Sequence, residues 1–235
     1  MTTKPRVTVL SGHGRYEDSW HDFPATSHLI ADTLADADLD VTVVGTWPCT
    51  VTDLNRPDLN FPDLDWPDLL VVNSGFGLPD ATKDDDAWAS AWDGLRAYLA
   101  SGRPVIGIHT ACNTFHDVPE WLDRLGGAWV GASMHPPISR ASVSISNQDH
   151  PITAGLGAGF ELWDERYSLL DLRADDAQVL ATHDLDGTSQ PLVWVRDNDA
   201  GRSVYDALGH GLESYDSPDR RRLLQAEARW ALTLP

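Results

Sequence analysis

Basic residues are scarce in this chain. Its 235 residues carry 17 Lys and Arg against 36 Asp and Glu, a formal net charge of −19. A surface of that sign repels phosphate backbones and anionic bilayers, so neither nucleic acid nor membrane is an expected partner. Cysteine is nearly absent too. Cys49 and Cys112 make no disulfide framework and fit a reducing compartment. No apolar run reaches the ~18 residues a membrane-spanning helix needs, and MTTKPRVTVLSG does not read as a signal peptide, so the expected location is cytoplasmic. No glycine-rich phosphate loop occurs: SGHG and NSGFG fall short of both nucleotide-binding patterns, and no nucleotide is expected. There is no HExxH spacing either, so a metal, if one binds, must be held by ligands scattered along the chain.

What is present is a packed globule, 42% hydrophobic with 10 Trp, read as one domain over 1–235. The first half alternates strand and helix. RVTVLSG, DVTVVGTW, DLLVVNSG and PVIGIHT (6–12, 40–47, 68–75 and 104–110) are apolar runs of strand length. Asp22 with Pro24 marks a helix start. Trp88, Trp92, Leu95 and Leu99 share one helical face, which predicts core packing. Residues 48 to 67 hold four prolines and read as a long surface loop. Asp117 with Glu120 predicts a capping box for the next helix, which Gly126-Gly127 ends. The second half is a series of short strands over 141–147, 160–167, 178–184, 191–197 and 202–209, and then a helix capped by Ser217 with Pro218 behind it. Strand–helix alternation implies right-handed βαβ units and a parallel sheet. The later strands either extend that sheet or add a small antiparallel layer.

In such sheets ligands sit beyond the carboxyl ends of the strands. Three strand ends each deliver a histidine: His13 in SGHG, His109 in GIHT and His210 in ALGHG. A lone histidine in such a place usually caps the strand with a hydrogen bond. Three at corresponding places point to chemistry. The stretch GIHTACNTFHD adds Cys112 and His116 to the same turn.

Pro104-Val-Ile-Gly107-Ile-His109-Thr-Ala111 resembles the strand-to-elbow stretch of class I glutamine amidotransferases, where the elbow presents a nucleophilic Cys. Here His109 holds that place, and His210 falls where that family keeps its catalytic His. The resemblance implies the fold and, without the Cys, no glutaminase activity; Cys112 lies three residues too late. The chain is more closely similar to the trehalose-utilisation (ThuA-like) family. That resemblance rests on His21-Asp22-Phe23, Gly107-Ile-His109-Thr-Ala111, His135-Pro136, His150-Pro151-Ile152-Thr153, Asp164-Glu165-Arg166-Tyr167, Val193-Trp194-Val195, Gly201-Arg202 and Leu208-Gly209-His210-Gly211, in order along nearly the whole chain. It implies a flavodoxin-like, glutamine amidotransferase-like three-layer α/β sandwich with a mostly parallel central sheet and a few added antiparallel strands. It also implies a link to sugar catabolism. Cys112 and His116 inherit no role from it.

The expected acid–base residues are His109, His210 and Glu165, with His109 exposed on the elbow at the crevice. Asp164 and Glu165 are neighbours on a strand and point to opposite faces, so Glu165 is assigned to the crevice and Asp164 to a salt link with Arg166 or Arg202. Gly209 and Gly211 would let the backbone beside His210 approach a ligand. His13, Trp20, His21 and His135 are expected to bind substrate, Trp20 by stacking on a sugar ring. His150 reads as a turn residue and His183 as solvent-facing. Histidines with a carboxylate also suit an open, zinc-like divalent site, as an alternative to metal-free acid–base chemistry. The leading expectation is an enzyme, hydrolase- or lyase-like, acting on a neutral sugar or keto-glycoside. The rival is a sugar-binding or regulatory protein without catalysis. The expected partner is a small-molecule carbohydrate, with a homo-oligomer also open.

Overall fold

The computed structural model describes residues 3–55, 66–77 and 85–234. Its strands are β1 (Arg6–Ser11), β2 (Asp40–Gly45), β3 (Leu69–Asn73), β4 (Val105–Ile108), β5 (Gly127–Ala128), β6 (Ser139–Ile145), β7 (Gly159–Asp164), β8 (Asp171–Leu172), β9 (Gln178–Leu185), β10 (Thr188–Asn198) and β11 (Gly201–Asp206). Its helices are α1 (Phe23–Ala35), α2 (Pro48–Thr52), α3 (Asp85–Ala100), α4 (Pro119–Leu125) and α5 (Pro218–Ala231). Nine strands form one sheet in the order β2-β1-β3-β4-β11-β10-β9-β6-β7. From β2 through β11 the neighbours are parallel, and from β11 to β7 they are antiparallel. The later strands therefore extend the parallel sheet. β5 and β8 pair separately as a two-stranded ribbon.

Burial explains this split. Every residue of β3 and β4 is buried, as expected of parallel strands covered on both faces. β6 and β7 alternate buried and exposed residues, so one face of the antiparallel end meets water. The crossover from β1 to β2 runs one way along the sheet and that from β3 to β4 the other. Right-handed crossovers then put α1 and α3 on opposite faces, which makes three layers. α1 packs on α5, and α3 on α4. Trp121 and Trp194 are fully buried and keep their indole donors satisfied on the Ala111 and Leu125 carbonyls, both at 2.8 Å. Pro191 lies inside β10, where a prolyl residue removes a ladder donor, and the strand shifts register between it and Val193.

The helix ends follow the sequence in two places and depart from it in a third. The Asp22 side chain accepts from the Ala25 N–H, and the Ser217 hydroxyl from the Arg220 N–H, each such cap being worth about 1 kcal/mol. Gly126 ends α4 in the left-handed region at φ 80°. The capping box expected from Asp117 and Glu120 does not form. Pro119 sets the first helical turn, which makes Val118 the residue before the helix, with no side-chain cap. Asp117 instead accepts from the Tyr16 hydroxyl at 3.0 Å and pairs with Arg15. The expected loop over 48–67 begins with α2 and a 3-10 turn at Asp53–Asn55; residues 56–65 lie outside the described part.

Candidate functional site

The carboxyl ends of the parallel strands carry the site. β4 ends at Ile108, and His109 turns into a 3-10 segment (His109–Asn113) with φ 47°. A non-glycine residue in that region costs about 1–2 kcal/mol, and such strain marks an elbow that the surrounding packing holds in place. The elbow is present, but its ring does not face solvent. The His109 side chain is 2% exposed and lies beneath the cavity floor, stacked on Tyr167 with ring centroids 4.1 Å apart. The expected exposure at the crevice is thus corrected: His109 reaches the site from below, through Nε2.

Four side chains meet there. His109 Nε2 lies 3.2 Å from Glu165 Oε2 and 3.3 Å from His210 Nδ1, and His210 Nδ1 is 3.2 Å from the same carboxylate oxygen. The His21 ring sits 5.1 Å from that of His109 and 4.7 Å from that of His210, centroid to centroid. One nitrogen or oxygen atom from each of His21, His109, Glu165 and His210 falls within a 4.8 Å cluster. Residues so far apart in the chain meet only because β1, β4, β7 and β11 all finish along one edge of the sheet.

The hydrogen bonds fix the tautomers. A carbonyl can only accept, so His109 Nδ1–H donates to the Ala207 carbonyl at 2.7 Å. His21 Nδ1–H donates to Asp18 at 2.7 Å. In each neutral ring Nε2 is then a lone pair aimed at the cluster. His21 Nε2 is buried and has no hydrogen-bond partner. Lone pairs thus outnumber protons at this point, which a cation would remedy.

Burial opposes ionisation of Glu165, yet the close His109 and His210 rings outweigh it and hold the carboxyl far below the ordinary range. Burial also disfavours a charged His210, but the hydrogen bond and charge of Glu165 win, and its pKa is raised. For His21 burial prevails over the Asp18 hydrogen bond, so the pKa falls and the ring is held neutral.

Asp164 has a different partner set from the one expected. It pairs with neither Arg166 nor Arg202; Arg202 is held by Asp197. The Asp164 carboxylate accepts the backbone N–H of Glu165, Gly209 and His210 and the Ser214 hydroxyl, at 2.7–3.0 Å. It lies 1% exposed behind the site and fastens the Glu165 and His210 backbones together. Gly209 adopts φ 107°, and a Cβ there would come within 2.7 Å of the Tyr215 hydroxyl. That glycine serves this packed turn, not an approach to ligand.

Above the cluster opens a cavity of about 580 Å³, lined by Trp20, Phe76, Trp129, His135, Tyr167 and His210 among others. Trp20 is 73% exposed at its mouth. His135 is half-exposed, with Nδ1–H shared between Glu165 Oε1 at 2.9 Å and the Pro136 carbonyl at 3.1 Å, which leaves Nε2 as its basic nitrogen. His13 is placed apart: its ring packs on Trp47 with centroids 3.8 Å apart and lies 3.6 Å from Glu17. His116 bonds Asn113 at the surface, and His150 closes its turn by accepting the Ile152 N–H. His183 is not solvent-facing. It is buried, with Nε2 3.0 Å from the Ser168 hydroxyl, because β9 lies inside the sheet between β10 and β6. Cys112 is fully buried, and burial pushes its thiol up to about 12, the opposite of an activated nucleophile.

Sequence reasoning missed Asp18, Trp129 and Tyr167. Asp18 had a readable signal, a carboxylate three residues before His21, since ligand-type histidines commonly donate their second nitrogen to a carboxylate. Tyr167 stood inside the Asp164-Glu165-Arg166-Tyr167 motif without a role assigned to it, and Trp129 had no signal.

The described residues contain no helix long and apolar enough to cross a membrane. No curated protein matches the chain. Among solved structures, a protein described as ThuA-like from Parabacteroides merdae superposes with TM-score 0.73 at 18% identity, over 98% of this chain and 91% of that one. A second, from Bacteroides uniformis, gives 0.71 at 16%, over 98% and 93%. A protein described as a GMP synthase component from Thermoplasma acidophilum gives 0.54 at 16%, over 98% and 97%, which places the fold among glutamine amidotransferase-like sandwiches. The model of the family described as trehalose utilisation, ThuA, matches residues 6–231, and the chain belongs to that family.

Proposed function

We propose that this protein is a divalent-metal-dependent enzyme acting on a neutral carbohydrate or its keto form. One observation carries the reading: three imidazoles and a carboxylate converge within 4.8 Å, and two of the rings have their far nitrogens pinned on Ala207 and Asp18. The donor set fits a zinc-like or manganese-like ion, because nitrogen ligands with one carboxylate suit both. His21, His109, His210 and Glu165 would hold it. When bound, the ion would polarise a sugar carbonyl or hydroxyl as a Lewis acid.

The remaining steps belong to the chain. Asp18 and the Ala207 carbonyl hold their imidazoles in the ligating tautomer. His109 cannot touch substrate from beneath the floor, so its part is to bind the ion, where the sequence alone put it in acid–base chemistry. His135 lines the cavity, and Glu165 Oε1 orients its ring through Nδ1. It is therefore the group that takes a proton from substrate and returns it to a leaving oxygen. Trp20, Phe76 and Trp129 offer apolar faces to a pyranose ring and exclude water. The acidic surface favours an uncharged sugar over a phosphorylated one.

The test is metal content and turnover together. The purified protein, assayed with disaccharides and their 3-keto forms, is expected to bind one ion per chain and to lose turnover on chelation. His21→Ala or His109→Ala should abolish both. Metal-free protein with undiminished turnover would overturn the metal. Saccharide bound and returned unchanged would favour the rival reading, a binding protein, for which the aromatic cavity alone would suffice.

A further inference from the structure

We infer that the protein has a second saccharide subsite beside the first. It is an outer cavity of about 330 Å³ bordered by Trp20, Trp163, Leu212, Asp22 and Glu213. Trp20, Ile138 and His210 line both cavities, so the two adjoin, with His210 on their common border. This inference rests on the carbohydrate reading of the inner cavity.

Trp163 is 51% exposed and Leu212 45%. Large apolar groups clustered beside a cleft mark binding surface more often than chance exposure. Trp163 stands on β7 with its side chain on the solvent side, where the alternation of that strand puts it. Opposite, the segment after His210 carries Gly211, then Leu212 and Glu213. A Cβ on Gly211 would come within 3.0 Å of Glu213 Oε2, so a side chain there would crowd the cavity wall and push the Glu213 carboxylate aside.

The lining names the ligand's chemistry. A flat indole and an isobutyl group suit the apolar face of a pyranose. Glu213 and Asp22 are acceptors for ring hydroxyls, although one Asp22 oxygen is already taken by the Ala25 N–H. Two carboxylates on a chain of net charge −19 repel phosphate or uronate. The occupant is therefore an uncharged sugar ring, the second unit of a glycoside whose first unit lies over His210 and Glu165. The bond between the units would then lie near His210 and Trp20.

Calorimetric titration of the metal-loaded protein with glucose and galactose, and with trehalose, maltose and lactose, tests this. The best disaccharide should bind at least about tenfold tighter than its hexose, a difference of ~1.4 kcal/mol. Trp163→Ala should erase most of that advantage and leave the hexose Kd within about twofold. Gly211→Ala should do the same by displacing Glu213 at the cavity wall. A disaccharide-to-hexose ratio unchanged in both variants would overturn the subsite while leaving the inner site intact. Equal weakening of both sugars would overturn it as well. If Trp163→Ala instead splits a dimer on gel filtration and leaves the ratio alone, the patch is a dimer interface and the inference fails. If no sugar of the panel binds the wild type, the carbohydrate reading itself falls first.

Discussion

At the scale of single residues, the geometry of the cluster is set by groups that stand behind it. Asp18 is the clearest case. Its Oδ1 takes His21 Nδ1–H at 2.7 Å and also the His21 and Trp20 backbone donors. Removing its charge frees the imidazole to rotate or change tautomer. Asp18→Asn is expected to lower metal affinity about 10–100-fold with the fold intact, as competition with a chromophoric chelator would show. His210 gives the pH dependence. Without metal its pKa is raised, through Glu165, so it holds a proton above the ordinary imidazole range, and an incoming ion must expel it. Affinity should then be flat above that raised pKa and fall about tenfold per pH unit below it, with about one proton released per ion. Calorimetry below that pKa, in buffers of different ionisation enthalpy, counts that proton; none released there would contradict a protonated His210.

At the level of elements, the strand ends matter more than the strands. β10, β9 and β6 stand between β11 and β7 in the sheet, yet Asp164, at the end of β7, grips Gly209 and His210 just past β11. Asp164→Asn would replace an oxygen that accepts by an amide that donates, facing N–H groups. It is expected to cost about 1–3 kcal/mol, read as a shift in denaturation midpoint, and to loosen Glu165 from His210. Much of this scale was legible beforehand. β3 and β4 read as buried runs, and the three strand-end histidines pointed to one edge of one sheet. What was not legible depended on partners distant in sequence. Asp164 looked like a salt-bridge residue because Arg166 is its near neighbour, while three of its four donors lie 45 to 50 positions on. His183 looked exposed because nothing in QVLATHD tells an inner strand from an edge strand. His13 looked equivalent to His109, but the chain after β1 continues to His21, which reaches the cluster in its place. The β5–β8 ribbon is two residues long on each side, too short for any periodicity.

Two electrostatic regimes coexist in the whole molecule, and they predict opposite responses to salt. Inside, Arg220 pairs with Asp206 at 2.9 Å with both side chains fully buried. Burial pushes the adjoining Glu227 carboxyl well above its ordinary value, which favours its neutral form beside the Arg220–Asp206 pair. Arg220→Met would strand Asp206 and is expected to cost about 3–5 kcal/mol, whereas Glu227→Gln, close in shape and charge to the protonated acid, should cost under about 1 kcal/mol. Both costs should be the same in dilute and concentrated salt, because buried pairs are screened little. Outside, the excess of acidic residues repels itself across the surface at net charge −19. The unfolded chain spreads those charges further apart, so repulsion weakens the fold. Shortening the screening length from about 30 Å at 0.01 M salt to about 3 Å at 1 M removes most of it. The melting temperature is therefore expected to rise with sodium chloride by about 2–4 °C for each kcal/mol of repulsion relieved. Calorimetric scans in a salt series would show that rise in the wild type. The same rise should be seen in Arg220→Met, displaced downward as a whole. A melting temperature that falls with salt would mean that surface ion pairs such as Arg140–Glu161 and Arg196–Asp176 outweigh the net repulsion.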